Sequence, residues 1–376
     1  MYKLEVKLKQ HTPLIHFQHD QEGATLRASE VKPKLDRFII DQFYNNKKYK
    51  DLIEQLPAMG EHKKSPYKLF IQQEDDRSVT EYVIGGYIAK NKIQYYESVG
   101  KKVISPSPYF ADDSEIKKEN IDNIKLGLMS HKPIFLRFTY FDPTWKDLLE
   151  EAIPMFFVKN NFGSRQNKGF GCFYPLELNE TQFESNLKSQ FGIIYKCRLK
   201  EQKIHKIFGE INNLYKKLKS GDRNRESELR RYFNSMRPVV EWEKPAIQEK
   251  IKEISRQRLN IQSKTDTRQF VRALLGLPEL YEYPKNRMKI QVKNKDEDKD
   301  KIERYQSPLQ FKVFEGNIYV MAMNKESAIT GKLFGFEFNN DGRNYGEMLS
   351  LETPKNFDVA DFLKEVMRSQ YFWTKV

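Results

Sequence analysis

Three histidines stand close together near the start of this sequence, His11, His16 and His19, beside Asp20. Imidazole and carboxylate groups could together supply the general base and acid of RNA cleavage, or the ligands of a metal ion. Their spacings of five and three, along a strand and the loop after it, do not set them on one face, so loop histidines without chemistry are the favoured reading. A second candidate is the glycine-rich run from Phe162 to Gly171. Gly163, Gly169 and Gly171 would let the backbone approach a ligand closely, and freed N–H groups there, with Ser164 between them, could form an anion-binding concavity. Arg165 and Lys168 add charge for phosphate oxygens, and Phe170 offers a face for a base to stack on. The third candidate is Arg27, Lys32, Lys34 and Arg37, where several cations at a helix start suit a phosphate backbone.

Other chemistries find no support. The glycine run lacks the Lys-Ser/Thr of a Walker loop, and it follows a helix where a dinucleotide fingerprint would precede one. No GxSxG, HExxH or kinase-type set occurs. Cys172 and Cys197 form neither a CxxC pair nor a Cys/His zinc pattern, so no metal site and no cofactor are expected. Two cysteines also fit a reducing compartment, and no apolar run approaches the ~20 residues of a membrane span. A cytoplasmic protein without a membrane partner is the expectation.

The elements that must hold these residues are partly legible. Leu4, Val6 and Leu8 alternate with lysines as a first strand, broken at Thr12-Pro13, with Leu14 to Phe17 as a short apolar continuation. Val31, Leu35, Phe38 and Ile39 lie at helical spacing, with Ser29 placed to cap and Pro33 early in the helix. Residues 45–130 read as short strands and loops. Ile134 to Tyr140 is a strand, and a helix starting at Asp142-Pro143-Thr144 carries Trp145, Leu148, Leu149, Ala152 and Ile153. The glycine run and a strand from Cys172 to Leu178 follow, in the order of a ferredoxin-like domain. A strand from Phe191 to Leu199 restarts the pattern. Later come a helix from Arg268 to Leu275, a disordered loop from Lys293 to Lys301, a hairpin around Glu315-Gly316-Asn317, and a final amphipathic helix from Phe357 to Gln370.

The composition agrees with a folded chain that meets a polyanion. Of 376 residues 13% are aromatic, more than a disordered chain carries, and Lys+Arg 65 against Asp+Glu 52 leaves +13. Between Lys196 and Arg258, 18 Lys/Arg stand against 9 Asp/Glu. This stretch reads as a protruding basic helical insertion, with Arg223, Arg225, Arg230 and Arg231 able to grip phosphates or acidic side chains.

Taken together, Thr12-Pro13-Leu14 and the run from Leu26 to Arg37 resemble the opening of RAMP-superfamily CRISPR proteins. The segment Gly163-Ser164-Arg165-Gln166-Asn167-Lys168-Gly169-Phe170-Gly171 resembles that superfamily's glycine-rich loop. Leu275-Gly276-Leu277-Pro278, with Arg304-Tyr305-Gln306-Ser307-Pro308-Leu309, is similar to the two-domain subunit that caps the Cmr (type III-B) effector complex at the crRNA 3′ end. Pro33 stands where the family has Gly, Asp36 where Arg is expected, and Gln306 breaks the last motif.

The resemblance implies an α+β chain of two fused ferredoxin-like (RRM-like) domains, 1–182 and 183–376, the second with a helical insertion at about 200–262. It implies a non-catalytic subunit that binds crRNA and target RNA among other type III CRISPR RAMP subunits, with Arg304 joining the RNA-binding set. The alternative is a RAMP-type endoribonuclease that processes crRNA or cleaves target RNA, with His16, His19 or Asp20 as the catalytic group.

Overall fold

A computed structural model describes residues 1–16, 26–57, 65–73, 79–85, 88–105, 126–221, 225–236, 239–256, 264–277, 280–283, 286–296, 302, 305–323 and 328–376. The chain forms two compact units. The first comprises Met1–Asn212, Phe311–Val320 and Phe372–Val376, and the second Asn213–Gln310 and Met321–Tyr371.

In the first unit, β1 (Tyr2–Gln10) carries outward lysines and turns Leu8 and Gln10 inward. After β2 (Leu14–Ile15), α1 (Ala28–Phe43) buries Val31, Leu35, Phe38, Ile39 and Phe43, the stripe read from its spacing. Next come α2 (Lys50–Ile53), β3 (Tyr67–Gln73), β4 (Val79–Ile84), α3 (Lys90–Ser98), β5 (Lys102–Ile104), β6 (Leu126–Ser130) and β7 (Ile134–Tyr140). Helix α4 (Thr144–Lys159) starts where Asp142 Oδ1 accepts the Thr144 N–H at 2.9 Å, and it leads through the glycine run to β8 (Phe173–Pro175). The sheet order β3-β7-β1-β8 is antiparallel throughout, and with α1 and α4 it is the split βαββαβ arrangement of a ferredoxin-like fold. Phe38 meets Phe156 edge-on at 5.7 Å, and Tyr67 lies 5.1 Å from Trp145, so both helices pack on one face.

A second sheet, β2-β6-β4-β5, takes β4, β5 and β6 from the segment between β3 and β7 and β2 from ahead of α1. The buried Gln10 amide joins the two sheets: it donates to the Leu128 carbonyl at 2.7 Å and accepts the Ser130 N–H at 2.8 Å. Beyond β8, α5 (Glu180–Gln190) opens with a reciprocal Asn179/Gln182 capping box. Then come β9 (Ile194–Arg198), α6 (Ile204–Lys219), α7 (Glu228–Ser235), α8 (Glu243–Ser255), β10 (Lys264–Gln269), β11 (Leu280–Tyr283) and β12 (Met288–Asn294). The remaining elements are β13 (Leu309–Phe314), β14 (Asn317–Ala322), β15 (Leu333–Asn340), β16 (Arg343–Glu352), α9 (Val359–Met367) and β17 (Thr374–Lys375). A third sheet has the order β13-β14-β9-β17, which repeats the strand order of the first for the chain sequence β9, β13, β14, β17.

The second unit holds a five-stranded sheet, β10-β16-β15-β12-β11. Phe334, Phe336 and Phe338 alternate inward along β15, and Phe270 packs 5.0 Å from Phe336. Tyr232 and Phe233 of α7 meet Phe357 and Phe362, and the Tyr232 hydroxyl donates to Asp361 Oδ2 at 3.1 Å. The fully buried Glu243 carboxylate pairs with Arg272 and accepts the Val271 N–H.

Several expectations need correction. Ser29 does not cap α1: the helix begins two residues earlier than that cap would set it, at Ala28, with Arg27 as its N-cap. The boundary at 182/183 falls inside α5, whose Phe183 packs on Tyr174 and Phe314 within the first unit. The stretch 200–262, read as a protruding basic helical insertion, holds helices α6, α7 and α8, but these carry buried apolar stripes. Helix α6 buries Ile207, Phe208, Ile211, Leu214 and Leu218, and the segment inserted before β13 also contains strands β10 to β12. Arg268–Leu275 is no helix, because the Phe270 N–H is taken by the Glu352 carbonyl; only a short 3-10 turn, Val271–Leu275, follows. Lys293 and Asn294 end β12, while 297–301 lie outside the described residues.

Gly171 has φ +68°, and a Cβ there would lie 1.9 Å from the Phe162 carbonyl oxygen; Gly100 has φ +81° with nothing within 4 Å. Urea denaturation should therefore show Gly171→Ala losing about 4 kcal/mol or failing to fold. Gly100→Ala should lose only about 1–2 kcal/mol, the cost of a left-handed backbone alone. Equal losses would contradict the packing at Gly171.

Candidate nucleic-acid interface

The glycine run is woven into the protein. Ser164 N–H donates to the Ile15 carbonyl at 2.8 Å and Gly171 N–H to the Pro13 carbonyl at 2.9 Å. Cys172 N–H donates to Thr12 Oγ1 at 2.9 Å, so the Thr12-Pro13 segment and the glycine run lie backbone against backbone. Lys168 and Gly169 N–H groups turn back to the Arg165 and Gln166 carbonyls, and Gly163 N–H donates to Glu30 Oε1 at 3.0 Å. Those five loop amides already have protein acceptors, so the anion-binding concavity read from the glycines does not form from them.

The loop side chains divide in the same way. Phe170 is fully buried and stacks on Phe208 with centroids 4.0 Å apart, so its face is not open to a base. Lys168 is buried too, its backbone bridging to Phe311. Asn161 anchors this inner half: its Nδ2 donates to the Gln166 and Phe311 carbonyls, and its Oδ1 accepts from Lys312 Nζ at 2.8 Å. Ser164, Arg165 and Gln166 remain half-buried at the outer edge, with Arg165 at φ 57°.

Helix α1 meets this edge through Glu30. The carboxylate that holds Gly163 N–H also pairs with Lys34 Nζ at 3.0 Å, and that ammonium lies 5.1 Å from the Phe162 ring centroid. Arg27 is half-buried at the helix N-terminus, and Arg37 is exposed nearly three turns on. Lys32 is committed to structure: its Nζ pairs with Asp36 Oδ2 at 2.7 Å and sits 4.2 Å over the Tyr67 ring. Asp36 accepts the Tyr67 hydroxyl at 2.5 Å, which accounts for a carboxylate where the family pattern has arginine. The structure thus gathers Arg27, Lys34, Ser164 and Arg165 around the N-terminus of α1, where dipole and charge both favour an anion. Glu30, Asp36, Asn161 and Lys312 were missed in the sequence. The Glu30/Lys34 spacing of four was the available signal.

Family models for the Cmr1 N-terminal domain and the Cmr1 C-terminal domain match residues 1–222 and 224–372. The chain belongs to the Cmr1 family. Among solved structures it is similar to Cmr1 from Pyrococcus furiosus in its apo form, at 11% identity and a TM-score of 0.42, over 100% of this chain and 98% of that one. It is also similar to a chain in a cryo-EM structure of the Type III-B Cmr-beta bound to cognate target RNA, at 12% identity and a TM-score of 0.30, over 47% and 59% of the two chains. No curated protein matches it in sequence.

The remaining candidates of this Cmr1-family chain are placed as follows. His19, Asp20, Arg223 and Arg304 lie outside the described residues. His16 is half-buried just after β2. Arg230 pairs with Glu226 at 2.8 Å and lies 4.7 Å over Trp242, and Arg231 pairs with Glu228, so both serve contacts within the second unit. Among the described residues no cluster of three or more His, Cys, Asp or Glu could hold a metal, and no helix is long and apolar enough to cross a membrane.

His11 is structural. Its ring stacks on Phe314 at 5.2 Å and tilts against Tyr174 at 5.1 Å, and Nδ1 accepts the Glu315 N–H. Burial lowers its pKa to about 4, outweighing the nearby Glu315 carboxylate, while Lys9 adds to the drop. Well above pH 6.5, the ordinary histidine value, folded and unfolded chains are both neutral at this site. As pH falls toward about 4 the unfolded chain takes up a proton that the folded one refuses, so stability is lost. Urea midpoints across this range should fall more steeply for the wild type than for His11→Asn. Parallel curves would contradict a buried neutral imidazole.

Proposed function

We propose that this chain is a non-catalytic RNA-binding subunit of a type III CRISPR effector ribonucleoprotein, contacting crRNA or target RNA near the crRNA 3′ end beside other RAMP subunits. Membership of the Cmr1 family supports the subunit role. The observation that carries RNA binding is the Glu30 junction, which sets the N-terminus of α1, with Arg27 and Lys34, beside Ser164 and Arg165. This arrangement meets phosphates through charge and dipole and reads no base. Net charge +13 favours the same partner. The domain reading that goes with it is a tandem of two ferredoxin-like halves, and the cytoplasm is its compartment.

Catalysis is assigned to other subunits. His11 is buried in an aromatic cage with its Nδ1 already accepting the Glu315 N–H, and burial leaves its imidazole a weak base. All of this argues against the general-base role that an RNA-cleaving reading would give it. Target or precursor RNA incubated with the purified chain should stay intact, and cleavage abolished by His16→Ala would reverse this assignment.

The test of binding follows from counting phosphates. Arg27→Glu combined with Arg165→Glu should weaken single-stranded RNA binding roughly tenfold at physiological salt and flatten the log affinity versus log salt slope by ~0.7 per lost contact. Thermal unfolding should change little. Unchanged affinity and slope would contradict the assigned surface, and failure of the chain to join its companion subunits with crRNA would contradict the subunit role.

A further inference from the structure

The sheet β3-β7-β1-β8 has a second face away from α1 and α4. At β8 it is covered, Tyr174 lying under Phe183 and Phe314, and over β3, β7 and the first part of β1 it is open. Strand register arranges its outward side chains in rows: Lys3, Thr139 and Lys68; then Glu5, Arg137 and Phe70; then Lys7, Phe135 and Gln72. Phe70 is 59% exposed although it sits mid-strand. Phe135 lies beneath two cations, with Lys7 Nζ 5.5 Å and the Arg137 guanidinium 5.9 Å from its centroid. Arg137 is held in place across three strands, donating to Glu5 Oε2 at 2.8 Å and to Gln72 Oε1 at 2.6 Å.

Across these rows Lys3, Lys7, Lys68 and Arg137 face the single carboxylate Glu5. An apolar protein surface covering Phe70 would have to desolvate these cations without compensation. A single nucleic-acid strand has both parts that the face asks for: a flat base for the exposed ring and phosphates for the surrounding charges. Four antiparallel strands with exposed aromatic side chains are a general platform for such stacking.

We infer that this open sheet face binds single-stranded RNA, with Phe70 stacking on a base while Lys7 and Lys68 hold flanking phosphates. The inference rests on the reading that the chain binds RNA, and it adds a surface on the opposite side of the sheet from α1. Stacking on one ring tolerates any base, so no sequence preference is expected from it.

The full-length chain, titrated with a short unstructured labelled RNA, provides the test. Phe70→Leu keeps a side chain that suits the strand but loses the aromatic face; it should weaken binding roughly tenfold and leave the salt slope unchanged, since stacking releases no counterions. Phe70→Tyr should bind like the wild type. Lys7→Ala with Lys68→Ala should instead flatten the slope by ~1.4, two contacts at the single-strand value. Wild-type affinity in Phe70→Leu, with binding still weakened by Arg27→Glu and Arg165→Glu, would overturn this surface and leave the proposed function standing. Loss of association with a companion protein in Phe70→Leu, at unchanged RNA affinity, would overturn it in favour of a protein dock. A wild-type chain that binds no RNA would overturn both.

Discussion

Two stretches of backbone approach each other too closely to admit a Cβ, and the first unit is organised around that approach. The Ile15 carbonyl sits where a side chain on Gly163 would begin, and within the loop itself the Phe162 carbonyl sits where one on Gly171 would. Thr12 to Ile15 and Phe162 to Cys172, far apart in sequence, can therefore exchange hydrogen bonds directly. Once the loop is seated, Gly163 N–H points at Glu30, which fixes the first turn of α1 and the cations on it. The glycines serve the fold, and the edge they position is the one proposed to meet RNA.

Behind that edge the protein buries polar groups that have to be matched. Asn161 is nearly inaccessible and ties the loop to β13 through two donated bonds and one accepted from Lys312. Burial pulls the Lys312 ammonium down to about 7, so near neutrality much of its population is the uncharged amine. An amine can be satisfied by one good acceptor where a buried ammonium would need a counter-charge. Next to it, Tyr174, Phe183, Phe314 and His11 form a continuous aromatic layer. Asn161 and this layer give the loop a rigid base.

How much of this could be read beforehand depended on the range of the interactions. Strand alternation in β1 and helical spacing in α1 and α4 are local, and they placed the first ferredoxin-like unit and its core residues. The glycine run was recognisable as a place of close backbone approach, but its partner, the Thr12-Pro13 segment, is set by tertiary packing. That is why Phe170 and Lys168, typical nucleic-acid side chains by type, proved to be interior. The second half misled for the same reason. Its charge density hid the buried stripes of α6 to α8, and the inward phenylalanines of β15 belong to a sheet assembled from segments scattered along the chain. Asp36 looked like a departure from a family pattern until Tyr67 and Lys32 were seen beside it.

The central claim is that the glycine-rich loop reaches RNA only by its outer edge, together with the N-terminal half of α1. Photocrosslinking of a single-stranded RNA to the full-length chain, with the attached peptides mapped by mass spectrometry, addresses it directly. The account predicts adducts on residues between Arg27 and Arg37 and on Ser164 to Gln166, and none on Phe170. An adduct on Phe170, or labelling that spares both α1 and the loop edge, would contradict it.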